Sequence, residues 1–159
     1  MSKHTKGAVA RSLAAAGLVA GALAFLSTPA SAGQCPADKM AKDAMKPAAE
    51  ANKPVGVTDT VLNTIDLSKE IMGLDNRQLR IRQLTVAPGG VVPWHSHKDR
   101  PALIYIVKGE ISEYASNCSV PIVHKAGETS RDADLSHWWK NHGTTEVVLI
   151  STDVFNTKP

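Results

Sequence analysis

Two histidines, His95 and His97, lie two residues apart in the stretch GGVVPWHSHKDRPALIYIVKG that runs from Gly89 to Gly109. The stretch reads as β-strand, and on a strand residues i and i+2 share a face. Both imidazoles can then enter one cavity. His137, beyond a second glycine-marked turn, offers a third. Three convergent imidazoles suit a first-row transition metal and leave a coordination position open. For the pair alone a metal-free reading also stands, with both rings at a barrel mouth or facing solvent. Neutral imidazole is the ligating form, so the sequence predicts metal affinity that falls below a pH of about 6.

Histidines this far apart in sequence meet only if a closed scaffold brings them together. Residues 57–67 are rich in β-formers, and Gly73 to Asn76 marks a turn. Residues 78–86 alternate, with Leu79 and Ile81 in one phase and Leu84 and Val86 in the other. That slip predicts a bulge near Arg82 or Gln83. Pro88-Gly89-Gly90 reads as a turn, then strands follow over 91–97, 102–108, 110–114, 120–124, 137–141 and 145–152. Short strands at regular spacing with glycine turns indicate an all-β barrel or sandwich.

Residues 1–32 read as an export signal. Lys3, Lys6 and Arg11 open it, an apolar run follows, and Ala30-Ser31-Ala32 is an A-x-A cleavage site. The apolar run is short for a span of about 20 residues, so no stable membrane anchor is expected after cleavage, and the protein is expected in the periplasm or secreted. The formal net charge of +3 resides in those three basic residues. The remainder balances, and no basic stripe interleaves with aromatics, which argues against a nucleic-acid partner. Residues 33–54 read as a linker or arm with a short helix over 36–45 ended by Pro47, and residues 55–159 as the barrel domain. Cys35 and Cys118 are either a disulfide, as export favours, or two independent thiols.

The first histidine stretch resembles the first motif of the cupin superfamily, G-x5-H-x-H-x3–4-E-x6-G, through Gly89, His95, His97 and Gly109. The second resembles G-x5-P-x-G-x2-H-x3-N through Gly127, His137 and Asn141. The resemblance covers roughly residues 75–153. It implies a cupin double-stranded β-helix, or jelly-roll barrel, often a homodimer. It also implies metal ligation by His95, His97 and His137, with Fe, Mn, Ni, Cu or Zn as the divalent ion. Ala102 stands where the motif has its ligating glutamate, and the inner proline and glycine of the second motif are missing. Asp99 could replace the glutamate if its loop bends inward.

Five further residues are candidates for binding a small molecule. Arg100 could grip a carboxylate or phosphate, or pair with Asp99 or Glu110. Trp94 and Trp139 flank the histidines as pocket walls or as core. Tyr105 is a pocket-wall or barrel-core candidate, and Asn141 supports a turn or a ligand. His124 and His142 read as peripheral, His124 being the better placed to support a ligand. No carboxylate is evident at the site from spacing, so no general base is assigned. Two functions fit. One, the chemistry that the resemblance implies, is an oxygenase- or isomerase-type enzyme acting on a small molecule, for instance an anion. The other is a cupin module that binds a ligand or metal without turnover.

Overall fold

The computed structural model describes residues 34–158, so the export signal read over residues 1–32 lies outside the described residues. Among the described residues the strands are β1 (Val55–Asp66), β2 (Arg77–Ser96), β3 (Ala102–Lys108), β4 (Glu110–Ala115), β5 (Ile122–Lys125), β6 (Thr129–Asp132), β7 (Ser136–Lys140) and β8 (Val147–Asn156). They pair antiparallel in the order β5-β4-β7-β2-β8-β3-β6, with β1 laid along β2. Backbone bonds from Ala126 N to Gly109 O and from Gly127 N to Ile106 O tie the β5–β6 turn to the β3–β4 hairpin. These ties leave a nearly closed antiparallel barrel of jelly-roll type. Its core holds Leu84, Val86, Ile104, Ile106, Trp139 and Leu149, among others. Each such side chain stabilises the fold by about 1.5–3 kcal/mol when fully buried.

β2 positions the histidines by changing partners along its length. Its first part pairs with β8 and β1, its last part with β7. Pro88-Gly89-Gly90, expected to reverse the chain, is instead a bend inside this strand. Gly89 has φ +72°, and a Cβ on Gly90 would lie 2.7 Å from Ala87 O and 3.0 Å from Val55 O. Only glycine lets the strand turn here.

The phase slip in β2 also has a different origin from the one expected. The β2–β8 register is unbroken from Arg77↔Asn156 to Val86↔Val147. The irregularity lies on β1, between Val61 and Asn63. Leu84 and Val86 face inward, and so do Arg80 and Arg82, which share their parity. Asp153 of β8, with a fully buried side chain, makes this tolerable. Arg80 donates to its two oxygens at 3.0 and 2.8 Å, and Arg82 Nη2 stands 3.6 Å away. The apolar alternation is interrupted because charged residues take over the inner face.

The expected helix over 36–45 does not form. Single 3-10 turns at Ala37–Lys39 and Ala49–Asn52 stand in its place. The segment has no apolar stripe to bury and is too short to hold a helix on its own. It is strapped to the barrel all the same. Ala51 packs on Val91 and Trp138, Glu50 pairs with Lys140, and Ala41 N and Ala44 N bond to Asn117 O and Ser116 O. A Cys35–Cys118 disulfide spans 83 residues. By chain entropy such a loop contributes about 4–5 kcal/mol, and the bond suits an oxidising compartment. Among the described residues no helix is long and apolar enough to cross a membrane.

Candidate metal centre

His95 stands next to the end of β2 opposite His137 of β7, and His97 follows just beyond the strand. The three rings converge through the same atom. His95 Nε2 lies 2.9 Å from His97 Nε2 and 3.1 Å from His137 Nε2, and ring centroids are 4.6–4.8 Å apart for all three pairs. The opposite nitrogens each meet an oxygen. Nδ1–H of His95 donates to Pro93 O at 2.8 Å, that of His97 to Arg100 O at 2.7 Å, and that of His137 to Glu113 Oε1 at 2.5 Å. Those acceptors assign the proton to Nδ1 and turn three Nε2 lone pairs toward one point. Lone pairs so placed repel one another unless they share a cation. Nitrogens bound at about 2.0–2.1 Å to one ion stand roughly 3.0–3.4 Å apart, so the donor set fits a metal. Burial, followed by repulsion from His137, lowers the His95 pKa to about 3 and that of His97 to about 4.

Behind the imidazoles lie carboxylates that the spacing did not reveal. Glu113 of β4 is buried and bridges two histidines, accepting from His137 through Oε1 and from His124 Nε2 at 2.8 Å through Oε2. Burial alone would raise its pKa. The two histidine bonds outweigh burial and hold it below the usual range. His124 stacks on Trp139, whose indole N–H lies 3.2 Å from the edge of the His137 ring. Asp132 of β6 is fully buried, with Oδ2 3.9 Å from His137 Nε2. Burial raises its pKa.

In front of His95 and His97 opens a cavity of about 200 Å³, whose walls include Arg82, Arg100, Asp59 and Trp139. That is smaller than the roughly 300–1,000 Å³ of drug-sized pockets. Arg80, Arg82 and Arg100 face Asp153 and Asp59, which leaves one positive charge in excess. Arg82 Nε and Arg100 Nε are buried without a hydrogen-bond partner in the protein.

The sequence model of the family described as "Cupin domain" matches residues 82–153, which include all three histidines. The barrel is a cupin domain. Solved structures with the same fold include a predicted oxalate decarboxylase from Thermotoga maritima, 18% identical, at TM-score 0.51 over 70% of this chain and 99% of that one. A cupin domain of a transcriptional regulator from Enterobacter cloacae is 13% identical, at TM-score 0.50 over 64% of this chain and 98% of the other. A recombinant oxalate oxidase in complex with glycolate is 25% identical, at TM-score 0.50 over 70% of this chain and 57% of that chain. No curated protein matches the chain by sequence.

Within this cupin the sequence-based candidates fall in different places. Arg100 and Trp139 line the cavity beside the histidines. Arg100 faces Asp153 at 3.8 Å, and neither of the partners expected for it, Asp99 and Glu110, takes that place. Asp99 stays on the surface, bonded to Arg77 and Asn156, and does not bend inward to replace the missing glutamate. Tyr105 is 47% exposed on the outer face of β3, because Ile104 and Ile106 occupy the inner parity, so it is neither pocket wall nor core. Trp94 joins the outer cluster around Trp138 under the arm and does not line the cavity. Asn141 is bonded to backbone, as the turn-supporting alternative expected. Its Nδ2 reaches Val86 O, Ala87 O and Thr145 O at 2.8–3.1 Å, and Oδ1 accepts from Gly143 N, which fastens the β2 bend. The residues missed were Glu113, Asp132, Asp153 and Arg82. Parity with Ile111 and Ala115 points Glu113 inward, and parity with Leu84 does the same for Arg82.

Proposed function

We propose that this cupin binds one divalent transition metal through His95, His97 and His137 and takes a small anionic molecule into the adjoining cavity. The observation that carries this reading is the shared focus of three Nε2 atoms, each ring locked by an oxygen at its Nδ1. The excess positive charge that Arg82 and Arg100 bring to the cavity wall favours an anionic group such as a carboxylate on the ligand. The size of the cavity restricts the ligand to a few heavy atoms. Carboxylates of this kind appear in the names of two solved relatives, through oxalate and glycolate.

A bound metal would supply Lewis acidity and a template for an oxygenation or isomerisation. The protein's own groups do the rest. Arg100 and Arg82 orient the anion, and Leu84, Ile104 and Trp139 keep the cavity floor dry. Glu113 holds His137 in the ligating tautomer. A second reading, capture without turnover, is favoured by one observation. Asp59, the carboxylate on the cavity wall, is tied to Arg82 and is not free to act as a base. In either case the working protein is exported, and a second copy is its protein partner. Leu103, Tyr105 and Val107 on the outer face of β3 are exposed for such a contact.

Metal analysis of the purified protein tests the proposal. Close to one ion per chain is expected, and His97→Ala should lose it. Stoichiometric metal in that variant would reject the ligand set. Oxygen consumption and product analysis with small carboxylates then separate an enzyme from a binder.

A further inference from the structure

We propose that Asp132 supplies the metal-binding carboxylate that position 102 lacks, reaching the histidine centre from the neighbouring strand. This rests on the reading of His95, His97 and His137 as a metal site. Ala102 is buried and has no atom that can ligate. β6 runs antiparallel beside β3, and its register sets Asp132 directly opposite Ala102. Opposed residues of such a pair hold their Cβ atoms about 4.5–5.5 Å apart on the same face. A carboxylate moved from residue 102 to residue 132 therefore stays in the same layer of the barrel, and the small alanine leaves room for it.

The state of the carboxylate agrees. Asp132 Oδ1 accepts from Ser130 Oγ at 2.6 Å. Oδ2 has no hydrogen-bond partner, although the residue is fully buried. It lies 3.9 Å from His137 Nε2, the nitrogen that converges with His95, in a cluster with Glu113 and His137 rather than with His95 and His97, so closing on the focus takes a shift of the Asp132 side chain when the ion binds. Burying a carboxylate oxygen without a donor is costly, and a cation at the histidine focus would relieve that cost. The competing carboxylates are already engaged. Asp153, which also lies opposite Ala102, is held by Arg80 and Arg82, and Glu113 is held by His124 and His137. Among the described residues, Asp132 carries the one buried carboxylate oxygen left without a partner.

Cobalt(II) titration of the metal-free protein, followed by visible absorption, is the test. Removing a group that merely supports a ligand weakens metal binding about 10- to 100-fold, so Asp132→Asn should weaken cobalt at least about 10-fold and change the absorption bands. Asparagine keeps the shape and the bond from Ser130, and far-UV circular dichroism verifies the fold. Adding Ala102→Glu to Asp132→Asn should recover affinity, because it restores the carboxylate to the same layer from β3. Wild-type affinity and spectrum in Asp132→Asn would overturn the proposal. So would a weakened variant that Ala102→Glu leaves unchanged, since that is the behaviour of a purely structural aspartate. Cobalt bound at full strength by His97→Ala would instead reject the three-histidine reading beneath it.

Discussion

Asp153→Ala is expected to destabilise the barrel by about 3–5 kcal/mol, the usual cost of removing one partner from a buried ion pair. Asp153 is fully buried at the centre of three guanidiniums, those of Arg80, Arg82 and Arg100, which are themselves 13%, 12% and 24% exposed. Without it, three cations would face one another across the inner wall. Arg80 cannot swing away cheaply, because its guanidinium sits 3.6 Å over the Phe155 ring. Urea unfolding should show a lower midpoint with an unchanged slope. Asp59→Ala provides the contrast. Its side chain is 41% exposed, so its pair with Arg82 should be worth at most about 1 kcal/mol. If Asp153→Ala cost no more than Asp59→Ala, the inward arginines would have to be reaching water. Arg82 and Arg100 also line the cavity, so the same substitution should tighten binding of a small carboxylate in whatever fraction remains folded.

The arginine cluster shows where sequence reading succeeds and where it stops. Local pattern carried most of the strands and the approach of His95 to His97, because each depends on parity or on a turn near in sequence, whereas the meeting of His137 with them came from the resemblance and rests on the β2–β7 register. Glycine was read as punctuation at residues 88–90, yet whether a glycine reverses a strand or bends it depends on which partner waits beyond it. Here β7 waits, and the strand continues. Arg80 and Arg82 broke the apolar alternation because their partner, Asp153, lies far along the chain on β8. β6, with sequence TSRD, has no apolar residue to mark it as a strand. It is recognisable only by its pairing with β3, and it carries Asp132. Glu113 was readable from parity as inward, but its bridge between His124 and His137 needed the β4–β5 and β4–β7 registers. What the sequence withheld is the set of contacts made by strands remote from one another in the chain.

The metal-free protein is expected to lose stability steeply as pH falls from about 6.5 toward 4. His95 and His97 are folded in as neutral rings, with pKa values pushed down from 6.5 to about 3 and about 4, burial being the larger cause and repulsion from His137 the next. In the unfolded chain both titrate near 6.5. Within the window the unfolded state binds protons that the folded state refuses, so stability falls with pH, by roughly 1.4 kcal/mol per unit for each fully shifted ring. By pH 4.5 the two together should cost roughly 3–5 kcal/mol, a large share of the 5–15 kcal/mol of a typical domain. Asp132 acts in the opposite direction. Its raised pKa keeps it protonated in the fold over part of the same range, which offsets some of the loss. Glu113, held low by its histidine bonds, adds its own loss only as pH drops below the ordinary carboxylate range. Urea midpoints of the metal-free protein at pH 7, 6, 5 and 4 would trace this limb, and His95→Gln should flatten it. An equal slope in that variant would mean that His95 takes up its proton in the fold as readily as in water. Burial also bears on the metal. Because His95 and His97 stay neutral well below their ordinary range, proton competition from these two rings should begin nearer pH 4 than the value of about 6 expected of free imidazole. Below pH 6, what releases the ion should be the weakening barrel before the titration of these ligands.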